Sequence, residues 1–222
     1  VRFELSFDRY HEHADRIYHV FRGELQADGS VRYGSAVSGA LGPEIAANLP
    51  DVEVSTRALL RGASVRTDDK LLDAGFSFVE PAYFHIFHLP MVDGSDPLAA
   101  LDQPGTVLIT QGHVERFFGE EDPIGKRVHI YDSLAESDYI IAGVLEDYPA
   151  NSSIAYGFVT THKPSGFAHT LWDDWLPGTW RNVQIFIRLR EGVTQQKVEL
   201  YDHQRFPESR MKATAVEFSD QA

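Results

Sequence analysis

Cysteine is absent from the 222 residues. That excludes disulfide frameworks, thiolate zinc sites, iron–sulfur clusters and thiol nucleophiles, and leaves the redox compartment open. No apolar run approaches the ~18 residues that a membrane span needs, and no charged-then-apolar leader opens the chain, so what is present reads as soluble. Opening on Val1 rather than Met, it reads as an excised fragment whose flanking anchors have been removed. Positive charge is also in short supply. Twenty Lys and Arg face thirty-three Asp and Glu, a formal charge of −13, and no stretch gathers the cations into a stripe. A phosphate backbone is repelled over most of such a surface, which excludes nucleic acid as a partner. Short-period repeats and low-complexity linkers are missing as well.

What is present is a globular chain. Apolar residues make up 43%, enough at this length for one large domain or two small ones. Leu5 to His13 is polar and compatible with a helix, and Ile17-Tyr18-His19-Val20-Phe21 then reads as a strand of β-branched and aromatic residues. Asp28-Gly29 marks a turn before a second extended piece at Val31-Arg32-Tyr33. Leu41, Ile45 and Leu49 recur every four residues, which predicts a helix with Pro43 and Glu44 in its first turn and Pro50 beyond its end. Val52-Glu53-Val54 follows as a strand. Near the far end, Val183, Ile185, Ile187 and Leu189 alternate with Gln184, Phe186, Arg188 and Arg190, the period of a strand with one face mainly buried. Thr194 is placed to cap a helix through about Arg205, with Val193 and Val198 as a hydrophobic staple, and Thr214 to Phe218 makes a last strand.

The two ends thus each read β, α, β. The expected fold class is α+β with two lobes: a split βαβ, ferredoxin- or porter-like lobe from residues 1–61 and 163–222, and an inserted strand-rich lobe at 62–162. Strands of the insert are expected at Ala63–Arg66, Lys70–Val79, Val107–Thr110, Val128–Tyr131, Tyr139–Leu145 and Ile154–Thr160. Helices are expected at Pro81–Phe87 and at Gln111–Phe118, where Val114, Phe117 and Phe118 form an apolar stripe.

None of the chemistry-bearing constellations reaches its motif. Gly119 to Arg127 superficially resembles a phosphate loop, but five residues separate its glycines instead of four. Arg127 also replaces the hydroxyl that holds magnesium, so a turn between helix and strand explains it better. His11 and His13 sit on opposite sides of any helix, and His85 and His88 lack a third ligand nearby, so no metal or cofactor is expected. Gly34 to Gly39 contains no nucleophile elbow, and Glu120-Glu121 and Asp173-Asp174 read as solvated turns, so no catalytic residues are assigned. Trp172, Trp175 and Trp180 fall within nine residues. They read either as a loop pinned by its indoles at the lobe boundary or as an exposed interaction loop.

Several longer segments carry a resemblance. Phe3 to His11 followed by Ala14 to Val20, Phe117-Phe118-Gly119-Glu120-Glu121-Asp122-Pro123-Ile124-Gly125-Lys126, and Gly143 to Ser153 are similar to blocks of the extracytoplasmic core of FtsX/MacB-type ABC transporter permeases. Pro81 to Phe87 and Gly105 to Thr110 resemble further parts of it, in the family's order, while Ser153 departs where the family often carries His. The resemblance implies a periplasmic domain lying between the first two membrane helices of a permease. It also implies two lobes, no catalysis of its own, a cytoplasmic ABC ATPase as partner through the full-length permease, a permease dimer, and a periplasmic partner or substrate. In that reading the domain couples ATPase-driven motion to export or to the periplasmic partner. The alternative is a passive receptor for a ligand or peptide, with a hydrolase further behind.

Overall fold

A computed structural model describes residues 8–35, 37–131, 136–161, 183–193, 199–200 and 211–217. In chain order its strands are β1 (Ile17–Leu25), β2 (Val31–Gly34), β3 (Val52–Arg66), β4 (Leu71–Val79), β5 (Thr106–Thr110), β6 (Arg127–Tyr131), β7 (Glu136–Leu145), β8 (Phe158–Thr160), β9 (Val183–Leu189), β10 (Glu199–Leu200) and β11 (Met211–Glu217). The helices are α1 (Leu41–Asn48), α2 (Tyr83–Ile86), α3 (Pro97–Ala100) and α4 (Gln111–Phe118). They fall into two compact units, one drawn from Val1–Arg57 and His169–Ala222 and the other from Ala58–Ala168.

In the first unit the strands run β10-β11-β1-β9-β3, with β2 also paired to β1. β9 therefore separates β1 from β3, the two strands joined through α1, which is the signature of a split βαβ. The start of β1 pairs antiparallel with the end of β9, Ile17 opposite Arg188, and β11 lies antiparallel on the other side of β1. Glu53 on β3 ties this order together. It accepts from Arg16 at 3.1 Å and from Arg188 at 2.9 Å, while Arg16 also donates to the Leu189 carbonyl at 3.0 Å. The Arg188 hydrogen bond, more than any other contact, holds the Glu53 carboxyl below the usual carboxylate range.

Helix α1 lies close on β3 because Gly42 lets it. A Cβ there would stand 2.8 Å from Cγ of the buried Arg57, whose guanidinium donates to the Gly39 carbonyl at 3.2 Å. The buried ridge is thus Gly42 and Ile45, and the expected Leu41 and Leu49 are only half-buried.

The second unit closes on itself. From β3 the pairing runs β4, β8, β5, β7 and β6, and β6 returns to β3 with Ser64, Val65 and Arg66 opposite Tyr131, Ile130 and His129. Six strands make a barrel whose interior side chains fill it. Alternation shows this on β6, where Val128 and Ile130 point in, and on β7, where Ser137, Tyr139, Ile141, Gly143 and Leu145 do. Phe76 and Tyr139 meet with ring centroids 5.8 Å apart. Phe158 is fully buried, edge-on to Phe117 of α4 at 5.4 Å.

Several expectations change. Val52–Val54 and Ala63–Arg66 belong to one fifteen-residue strand, β3, whose middle carries the buried polar residues Thr56 and Arg57 and so hides its strand character. On β9, Phe186 is as buried as its neighbours and stacks on His19 at 4.6 Å, because a strand held between β1 and β3 is covered on both faces. Ile154 to Gly157 precedes β8 without joining it. The expected helix from Thr194 to Arg205 fails at Glu199–Leu200, which pair with Thr214 and Ala213 as β10. Val198-Glu199-Leu200 alternates apolar and polar as a strand does, and β11 pairs with Glu199 and Leu200. Residues 194–198 and 201–210 lie outside the described set.

Truncation at the barrel centre should be severe. Phe158→Ala is expected to cost about 3–5 kcal/mol in chemical denaturation, with the loss read as a shift in midpoint at unchanged slope.

Candidate interaction surface

Helix α4 organises the outside of the barrel, and residues distant in sequence hold both its ends. Thr110 occupies the N-cap position without capping through its side chain, since its hydroxyl bonds Nδ1 of His113 at 2.9 Å. The cap comes instead from Asp147, beyond β7, whose carboxylate accepts from the Gly112 N–H at 2.8 Å. At the other end the Lys70 ammonium donates to the Arg116 carbonyl at 2.9 Å, a cation on the terminal carbonyls, and Gly119 ends the helix at φ +65°.

His113 is the titratable group most closely fitted into this packing. Its ring lies against Gly157, where a Cβ would be 2.4 Å from two ring atoms, and stands edge-on to Phe158 at 6.0 Å. Burial holds its pKa below the ordinary imidazole value; Arg116 lowers it further, and Asp147 works the other way.

Among the described residues of this unit, two grooves stand out. The first, of about 280 Å³, lies between the β3–β4 turn and the end of α4, lined among others by Asp69, Lys70, Phe118, Glu121 and Lys126. It is compensated within itself. Lys126 pairs with Glu121 and lies 5.2 Å from the Phe118 ring centroid, and Lys70 is committed to α4. The segment Gly119 to Arg127, tested above as a phosphate loop, is the turn leading from α4 to β6. Asp122 accepts from the Ile124 N–H at 2.9 Å and the Gly125 N–H donates to Ile141 at 2.8 Å, leaving no cradle of free amides.

The second groove, of about 300 Å³, is built by α2, the loop behind it and α3, with Phe84, His88, Leu89, Met91, Asp96 and Leu98 among its walls. Asp96 caps α3 through the Leu98 N–H at 3.0 Å, and Asp93 accepts from both the N–H and the hydroxyl of Ser95 at 3.0 and 2.7 Å. Ser95 accordingly holds the Asp93 carboxyl below its usual range. Sequence reasoning missed this groove, although Asp96-Pro97 is a readable helix-start signal.

Other candidates are scattered. His11 is buried in the first unit, His13 is exposed beside Glu12, and His85 and His88 are both exposed near α2. Among the described residues no group of three or more His, Asp or Glu is arranged to hold a metal. Trp172, Trp175, Trp180 and Asp173-Asp174 lie outside the described residues. No helix among those described is long and apolar enough to cross a membrane.

Residues 2–200 match the family of MacB-like periplasmic core domains. The chain belongs to that family. Among solved structures, this MacB-like domain is similar to a domain assigned to a permease protein from Porphyromonas gingivalis. The identity is 25% and the TM-score 0.75, over 94% of this chain and 92% of that one. It shares the fold of the periplasmic region of MacB from Actinobacillus actinomycetemcomitans, at 16% identity and TM-score 0.56, covering 83% and 79% of the two chains. It shares it also with the extracellular domain of the noncanonic ABC-type transporter YknZ from Gram-positive bacteria, at 12% identity and TM-score 0.53, covering 79% and 84%. No curated protein matches the chain.

The family's blocks have physical roles in this MacB-like domain. Asp147, within Gly143 to Ser153, caps α4. Gly143 leaves room for Met91, whose Cε would lie 2.1 Å from a Cβ at that position. Tyr83 and Phe87, from Pro81 to Phe87, are buried with rings 4.5 Å apart.

Two outcomes follow from the His113 packing. Gly157→Ala should destabilise the domain by about 1–3 kcal/mol, and His113→Ala in the same chain should restore part of that, measured by thermal denaturation. Because the folded-state value of His113 is depressed, the unfolded chain takes up the proton first. Stability should therefore fall as pH drops through the ordinary imidazole range and level off below the folded value. His113→Gln should remove that component from the profile of Tm against pH.

Proposed function

We propose that this periplasmic domain of an ABC transporter permease is a non-catalytic transmission element. It carries motion driven by the cytoplasmic ATPase outward, to a substrate or to a partner outside the membrane. The observation that supports this is the pairing of the first and last strands. Tyr18 at the start of β1 stands opposite Glu217 at the end of β11, so these two strands begin and finish side by side at one end of the sheet. Flanking membrane helices would then pull on a single place, and a displacement between them would act on β1 and β11 directly. A seven-pair antiparallel ladder resists shear better than a loop does, so the motion would pass to the unit as a body. In this reading the residues of Ala58–Ala168 meet the cargo or partner, and the full permease acts as a dimer.

The test uses the intact permease with its ATPase. Spin labels at exposed Ala47 and Glu120, one in each unit, should show a change in distance distribution between the nucleotide-free and ATP-bound states. An unchanged distribution under turnover would remove the transmission role.

A further inference from the structure

Charge is unevenly divided along the chain. Residues 58–168 hold sixteen Asp and Glu against seven Lys and Arg, a formal −9 of the total −13. Within that unit the division is sharper still: from Leu71 to Glu115, forty-five residues contain six acids and no Lys or Arg at all. The cations that the unit does have gather elsewhere. Lys70, Lys126 and Arg127 line the groove at the end of α4, Arg116 adjoins it through the Lys70 bond, and Arg66 lies over the Tyr131 ring.

The groove behind α2 is lined entirely from within the cation-free stretch. Its walls bring together Phe84, Leu89, Met91 and Leu98 with Asp96, and Val92, 51% exposed, lies beside it in the chain. The Glu146 N–H donates to the Pro90 carbonyl behind the groove at 2.9 Å, and Glu146 is itself exposed. Two prolines and the Asp93 and Asp96 turns hold the loop in one shape, so little ordering is left to a binding event. At about 300 Å³ it sits at the small end of ligand cavities, which suits one anchoring side chain better than a whole small molecule.

We infer that this groove is a docking site for a basic segment of a partner protein, one apolar side chain seated between Phe84 and Leu98 with flanking Lys or Arg facing Asp93, Asp96 and Glu146. Charge complementarity selects that occupant: an acidic segment meets uncompensated carboxylates, and a neutral one forgoes the field that brings a basic partner in. The inference rests on the transmission reading only in naming the groove as the place where the moving unit meets its partner.

The experiment titrates the labelled 222-residue chain, followed by NMR, with a synthetic peptide of a single Phe flanked by Lys and Arg. Its counterpart with Glu at the flanks serves as comparison. Expected are shifts confined to residues 84–98 and 144–147, weakened by salt, with no response to the acidic peptide. Val92→Lys with Ala99→Lys, both at exposed positions, should weaken binding about tenfold at unchanged Tm. Shifts spread evenly over the acidic surface, binding undisturbed by the two lysines, an equal response to anionic phosphatidylglycerol vesicles, or self-association through this groove would each overturn the proposal. In the intact permease the same pair should abolish partner-dependent transport while the ATP-driven distance change between units persists. Loss of the distance change in the unmodified permease would sink the transmission role and leave the peptide result standing.

Discussion

Everything in the first unit depends on a strand that arrives late. β9 must be inserted between β1 and β3 after the chain has travelled through all of the second unit, and Ile17 finds Arg188 across 171 residues of sequence. Loop-closure entropy grows only by about 0.6 kcal/mol per doubling of length, so the distance itself is tolerable. What makes the arrangement specific is that β9 buries Val183, Ile185, Ile187 and Leu189 on one face and Phe186 on the other, while β2 is largely exposed. Glu53 then reads the result. Its two arginine partners come from the turn before β1 and from β9, and only the observed strand order brings both to one carboxylate.

The same economy of long-range fixing recurs around α4. An eight-residue helix is too short to stand alone in water, and its own N-cap residue, Thr110, makes no side-chain cap. Asp147 and Lys70, from opposite sides in sequence, complete it. This is why segments that mark the family, read as motifs, look like candidate sites and turn out to be joints: Asp122 and Asp147 accept from backbone N–H groups, and Lys126 pairs with Glu121. Around α2 and α3, by contrast, Asp93 and Asp96 shape turns beside a groove.

Much of the architecture was legible from residue periodicity. The strands of the barrel follow alternation on β6 and β7, and α4 follows its Val114, Phe117 and Phe118 stripe over the full Gln111–Phe118 span. Where the reading failed, tertiary context had overridden local pattern. Thr56 and Arg57 interrupt β3 with polar side chains because one is buried in the sheet and the other reaches under α1. Leu200 pairs as a strand where its neighbours suggest a helix. The groove behind α2 is assembled from segments whose meeting no spacing announces, save for the Asp96-Pro97 start of α3. The residues that drew most attention for recognition, the three tryptophans, are not among those described.

The return of β6 to β3 has a consequence for life outside the cytoplasm. Among the described residues the ring has no end strand, the usual template from which a strand-rich surface passes to fibrous association. A strand-rich domain in a periplasmic or extracellular setting gains from that closure. Its side chains can face the surroundings while most of its strand backbone stays paired within the ring.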